Sequence, residues 1–108
     1  MSDAFNDREK GYEAKYKLDA EAEFKIEVRR NKLLGLWLAQ EFGIADAEAY
    51  AKEVVIADMD EPGIEDVMRK VLADIEKHDA TISEESVRAK IEELDAIAAQ
   101  QYRDELDA

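Results

Sequence analysis

The sequence predicts an all-α protein: a compact four-helix bundle over residues 19–108, led by a flexible or frayed N-terminal arm at residues 1–18. Three observations carry that expectation. With one proline, four glycines and 40% charged residues among 108, the composition suits helices and lacks the turn residues of a sandwich or barrel. Four segments repeat apolar residues at three- and four-residue spacings, joined by short connections. The first eighteen residues, in contrast, hold almost no aliphatic side chain that could fasten them to a core. The length fits one domain with a single core.

The first helix is expected from about Asp19 to Phe42. Phe24, Val28, Leu34, Leu38 and Phe42 fall close to one face, and Leu33, Leu36 and Trp37 widen it. Glu21 and Lys25 form a solvent-side pair of about 0.2–0.5 kcal/mol. Gly43 stands where glycine commonly ends a helix. Leu33 to Ala39 is apolar nearly all round and should be the most enclosed part. Within it Gly35 costs about 1 kcal/mol of helix propensity relative to alanine, which close approach by another helix would repay. Trp37 needs a partner for its indole N–H if buried.

The second helix should start near Asp46, a good cap, with Ala47, Tyr50, Ala51, Val54, Val55 and Met59 on its stripe. The run from Asp58 to Gly63, with its Pro-Gly turn, stops it. The third, from about Ile64 to Lys77, carries Ile64, Val67, Met68, Val71, Leu72 and Ile75 inward. Glu65 with Arg69 and Asp66 with Lys70 are its expected outer pairs. The fourth opens at Ser83, or at Thr81 with Glu84 as a capping-box partner. Its inward face is Val87, Ile91, Leu94, Ala98 and Tyr102, with Ile97 alongside.

The arm poses a different question. On a continuous helix Tyr12, Tyr16, Ala20, Phe24 and Val28 share one i, i+4 row, so residues 1–18 could extend the first helix outward. Gly11 weakens an isolated helix there, and short isolated helices are marginal in water. The expectation is a segment that takes helical form against an outside surface.

Charge and composition narrow the functions. Net charge is −13, which opposes nucleic-acid binding and anionic-membrane binding. Residues 1–18 carry four acids and four bases, so the acidity lies further along. There is no cysteine, which excludes disulfides and thiolate chemistry. The charged first residues do not suggest a signal peptide, and the longest apolar run falls far short of the roughly 20 residues that span a bilayer. A reducing, cytoplasmic setting is consistent with this.

Catalysis has little to stand on. His78 reads as a cation at a helix C-terminus, and no nucleophile can be matched with a base and an orienting acid. Asp58, Asp60 and Glu61 could attract a divalent cation, but they lack the ligand order of an EF-hand loop, and a solvated acidic helix end is the plainer reading. Arg29, Arg30 and Lys32 form the strong basic cluster. They could meet a nucleotide phosphate, or serve as salt-bridge partners for the acidic second and third helices.

Several stretches resemble one family. Phe5-Asn-Asp-Arg-Glu-Lys10, Tyr12-Glu-Ala-Lys-Tyr16, Phe24-Lys25 and above all Arg29-Arg-Asn-Lys-Leu-Leu-Gly-Leu-Trp37 are similar to the zeta subunit of alphaproteobacterial F-type ATP synthases. Ala49-Tyr-Ala-Lys-Glu-Val-Val55, Glu65-Asp-Val67 with Arg69-Lys70, and the pattern from Ser83 to Leu94 extend the likeness over essentially the whole chain. The resemblance implies a four-helix bundle that inhibits ATP hydrolysis by the catalytic head and is not itself an enzyme. It further implies that the N-terminal helix inserts at a catalytic interface between alpha and beta subunits and reaches toward gamma. On matching positions, Phe5, Asp7, Arg8, Glu9, Tyr12, Glu13, Lys15 and Tyr16 are the implied contact element. The implied setting is cytoplasmic, peripheral to the membrane-bound synthase, with no direct membrane insertion. The family is also associated with nucleotide, which makes ADP or ATP a regulatory ligand and a purine-nucleotide sensor the alternative role. The sequence places no such site and calls for no other cofactor.

Overall fold

One long helix organises the molecule. The computed structural model describes the backbone of residues 2–59 and 63–107, and the side chains of residues 20–59 and 63–106. Among the described residues there are four α-helices and no strand: α1 (Ser2–Phe42), α2 (Ala47–Ala57), α3 (Glu65–Lys77) and α4 (Glu84–Asp107). The expected start of the first helix near Asp19 is therefore replaced by one continuous helical backbone from Ser2. The expectation of a flexible or frayed arm falls on residues 1–18, whose side chains lie outside the described residues.

The helix ends follow from local chemistry. Gly43 takes φ +70°, its N–H donates to the Gln40 carbonyl at 3.3 Å, and the Ile44 N–H donates to that of Ala39 at 2.8 Å. That pair is the Schellman closure, which favours a residue without a Cβ at the left-handed position. Asp79 does the same after α3 at φ 50°, with the Ala80 N–H donating to Ile75 at 3.0 Å. Asp46 caps α2 by accepting the Ala49 N–H at 3.1 Å. The Ser83 hydroxyl caps α4 by accepting the Ser86 N–H at 3.1 Å, which selects Ser83 over Thr81. Asp58 follows α2 as its C-cap.

α1 packs against both α2 and α4, and α3 packs on α2. α4 runs antiparallel to α1: Arg29 meets Glu105 near one end, and the Lys90 ammonium lies 5.2 Å from the Trp37 ring near the other. Leu34, Leu38 and Ala39 from α1, Tyr50 and Val54 from α2, Val67, Met68 and Val71 from α3, and Val87, Ile91 and Leu94 from α4 close over one core. A fully buried side chain of the larger apolar kinds contributes about 1.5–3 kcal/mol. The α1–α2 crossing depends on Gly35. A Cβ there would stand 2.4 Å from the Ala51 Cα, so the missing side chain sets how closely the two backbones approach.

Three residues expected inside are outside. Phe24 is 58% exposed, Met59 63% and Leu72 38%. Met59 lies in the turn after α2 has ended at its cap. Leu72 sits one residue, about 100° of helix rotation, past buried Val71. α2 ends at Asp58, which accepts the Asn31 amide, and Phe24, seven residues before Asn31, stays exposed. The outer pairs of α3 also differ. Arg69 meets Asp66 at 3.1 Å, and Lys70 turns to Asp74 at 3.1 Å and Glu53 at 3.5 Å. Asp66 is itself largely buried, and Lys70 thereby joins the α2–α3 seam.

Candidate functional site

Phe5, Asp7, Arg8, Glu9, Tyr12, Glu13, Lys15 and Tyr16 all fall on the N-terminal part of α1. Their side chains lie outside the described residues. The described surface begins at Ala20, where the same helix approaches the bundle. Ala20, Phe24 and Val28 continue the i, i+4 row of Tyr12 and Tyr16 by helical geometry. Phe24 and Val28 form one wall of an open groove of about 810 Å³, and Tyr102 and Leu106 of α4 line its opposite side. Phe24 and Leu106, the latter 67% exposed, leave an apolar strip on this face.

Cations border the groove, each with a carboxylate at hand. Lys25 lies 3.5 Å from Glu21, as the helical spacing predicted, Arg29 lies 2.5 Å from Glu105, and Lys32 lies 4.0 Å from Glu48. Lys25 and Lys32 are more than half exposed, so those pairs orient the side chains more than they stabilise the fold.

Below this strip lies a polar junction that sequence reasoning missed. Arg30 is 7% exposed and Asn31 1%. The Arg30 Nε and Nη2 donate to Asn31 Oδ1 at 3.2 and 2.9 Å, and Asn31 Nδ2 donates to Asp58 Oδ2 at 2.8 Å. Around the guanidinium stand Glu27 at 3.7 Å, Asp58 at 3.8 Å and Asp95 at 3.6 Å. The expected partners of the basic cluster were α2 and α3. α2 does supply two, Glu48 for Lys32 and the cap Asp58 for Arg30, whereas the place expected for α3 is taken by Asp95 and Glu105 of α4, together with Glu27 of α1 itself. The signal was available: Arg30 precedes Leu34 and Leu38 on one i, i+4 row, which is the buried face of α1. Burial, then the adjoining Asp58, pushes the Glu27 carboxyl above the ordinary glutamate range.

A second buried pair joins α2 to α3. The Tyr50 hydroxyl donates to Asp74 Oδ2 at 2.6 Å, and Lys70 lies 5.0 Å from the Tyr50 ring. Burial first, then the Asp74 hydrogen bond and charge, drives the phenol far above its ordinary range. Tyr50 is thus a fixed neutral donor that holds Asp74 in place.

The other candidates resolve into structure. His78 is the C-cap of α3, exposed, with its ring stacked on Phe42 at 5.0 Å and 11°. Asp58 is committed to the Arg30 junction, while Asp60 and Glu61 lie outside the described residues. Among the described residues no group of three or more His, Cys, Asp or Glu is placed to hold a metal ion, and no helix is long and apolar enough to cross a membrane.

Comparison with known proteins agrees with this architecture. A protein of known solution NMR structure is 53% identical over 77% of this chain and 96% of its own length, with a TM-score of 0.68. No curated protein matches the chain. The family model described as ATPase inhibitor subunit zeta matches residues 1–101, which takes in the N-terminal part of α1 and nearly all of the bundle. The chain belongs to the ATPase inhibitor subunit zeta family.

Proposed function

We propose that this protein is a regulatory subunit that inhibits ATP hydrolysis by the catalytic head of F-type ATP synthase, with its N-terminal helix lodged at an interface between alpha and beta subunits and directed toward gamma. The observation that carries this reading is the family match over residues 1–101, which includes the N-terminal segment as well as the bundle. The core supports it, because among the described residues every member lies at or after Leu33. The described core closes among four helices from Leu33 onward, and in this reading residues 1–18 are given to a partner.

Phe5, Asp7, Arg8, Glu9, Tyr12, Glu13, Lys15 and Tyr16 are the proposed contact residues. Phe5, Tyr12 and Tyr16 act as apolar anchors, the kind of side chain that dominates binding energy. Arginine and lysine bond acidic groups of the head, and aspartate and glutamate meet its basic ones. With equal numbers of acids and bases in residues 1–18, the segment enters a mixed-charge cleft without a one-sided electrostatic cost. A helix lodged there opposes the opening and closing that turnover requires, so inhibition is conformational and the inhibitor performs no chemistry. Replacing Phe5, Tyr12 and Tyr16 together by alanine is expected to raise the half-inhibitory concentration in a hydrolysis assay about a hundredfold or more. Undiminished potency would reject these anchors.

The groove favours one second reading, a purine-nucleotide sensor. An apolar wall with Tyr102, bordered by Lys25, Arg29 and Lys32, combines a surface for a base with cations for phosphate. The carboxylates that partner those cations compete with phosphate, which makes this the secondary role. Titrating ADP or ATP into isotope-labelled protein tests it: shifts confined to Phe24, Arg29 and Tyr102 support the groove, and unmoved resonances at millimolar nucleotide remove it.

A further inference from the structure

Among the described residues, Arg30 is the one cation within 4.0 Å of the Glu27, Asp58 and Asp95 carboxylates. We propose that Glu27 and Asp58 form a proton-operated latch between α1 and the end of α2, closed when one proton is shared by their carboxyls and loosened when it leaves. The geometry supplies the reason. The guanidinium keeps its charge at all relevant pH, so it can balance one of the three carboxylates and leaves two in excess. The Asp58 side chain is only 8% exposed. Its Oδ2 accepts from Asn31, while its buried Oδ1 receives no hydrogen bond from the protein. A buried carboxylate oxygen without a donor is costly, and a second ionised carboxylate beside it adds like-charge repulsion. A protonated Glu27 relieves both faults, because its hydroxyl can donate to the adjoining Asp58 carboxylate and its charge disappears. Glu27 is the more solvent-accessible of the two, so it is the member that exchanges the proton.

The charged groups that act on Glu27 are Arg30 on α1, Asp58 at the end of α2 and Asp95 on α4. Burial and both aspartates favour its neutral form, and only Arg30 opposes. A carboxyl raised in the folded protein binds its proton more tightly there than in the unfolded chain. Its contribution to stability is therefore complete below the ordinary glutamate range and is lost as pH rises through the folded value. Mild acid tightens the junction of α1, α2 and α4, on the helix that also carries residues 1–18.

The test uses the full-length protein. Carbon-detected NMR should show the Glu27 carboxyl titrating above the ordinary glutamate range, and Asp58→Asn should bring it down toward that range. Glu27→Gln, fixed in the neutral state, should have a higher urea midpoint than the parent at about pH 8 and the same midpoint once Glu27 is protonated. The latch is overturned if Glu27 titrates within the ordinary glutamate range, or if the Glu27→Gln difference is unchanged between acid and about pH 8. The titration of the unaltered protein decides the matter even where a variant fails to fold.

Discussion

A Cβ at position 35 would stand 2.4 Å from the Ala51 Cα and 3.0 Å from its Cβ, and backbone cannot yield as a flexible side chain does. Gly35→Ala sets about 1 kcal/mol of helix propensity gained against a crossing forced apart. Overpacking of this kind costs about 1–3 kcal/mol, so the urea midpoint is expected to fall; a rise would mean that α1 and α2 separate freely. Tyr50 gives a second expectation. In the unfolded chain its phenol ionises near about pH 10, whereas in the fold burial and Asp74 keep it protonated. Its contribution is therefore intact below the unfolded value and lost as the solution becomes more alkaline. Alkaline titration followed by circular dichroism should show the parent losing stability there more steeply than Tyr50→Phe. Both positions were legible in outline, Gly35 as an isolated glycine in an apolar run and Tyr50 as a member of an apolar stripe. The Asp74 partner was not legible, because periodicity reports which face a residue takes and not which polar group meets it. Arg30 shows the same limit more sharply. Its charge suggested surface, while its place on the Leu34–Leu38 row required burial, and burial prevailed because Asn31 and three carboxylates receive the guanidinium.

Among elements, the signals with a local mechanism were the accurate ones. Asp46, Gly43 and Ser83 each act through bonds within a few residues, so their positions marked the ends of α1, α2 and α4 before any packing was known. Removing the cap of α2 with Asp46→Ala leaves the Ala49 N–H without its acceptor. Thermal or urea unfolding should register a loss of about 1 kcal/mol, and an unchanged midpoint would show that solvent satisfies the group equally well. Phe24 and Met59 were misplaced for a reason that no local signal carries. An apolar stripe states that a face can be buried, and the length of the neighbouring element decides whether it is. α2 stops at Asp58, which leaves Met59 in the turn that follows, and Phe24 lies seven residues before Asn31, where Asp58 docks. The long backbone of α1 was legible only as an option, through the shared row of Tyr12, Tyr16, Ala20, Phe24 and Val28.

The proposed function divides the labour of the whole molecule along α1. From Leu33 onward the helix supplies the wall on which α2 and α4 close, and before Ala20 it supplies the residues assigned to the partner. That second half of the account rests on family membership and on charge and aromatic content. Aromatic spacing alone suggests a binding face, but it cannot identify what binds. The division predicts that the two functions separate: a chain of residues 19–108 should keep its helical circular dichroism and cooperative unfolding, because it retains every core residue among those described. The most direct measurement is the ATP hydrolysis rate of the cognate catalytic head titrated side by side with the full-length protein and with residues 19–108. The account predicts that the full-length protein suppresses hydrolysis and that the folded, shortened chain leaves the rate untouched. Equal inhibition by both would contradict it and move the inhibitory surface onto the bundle.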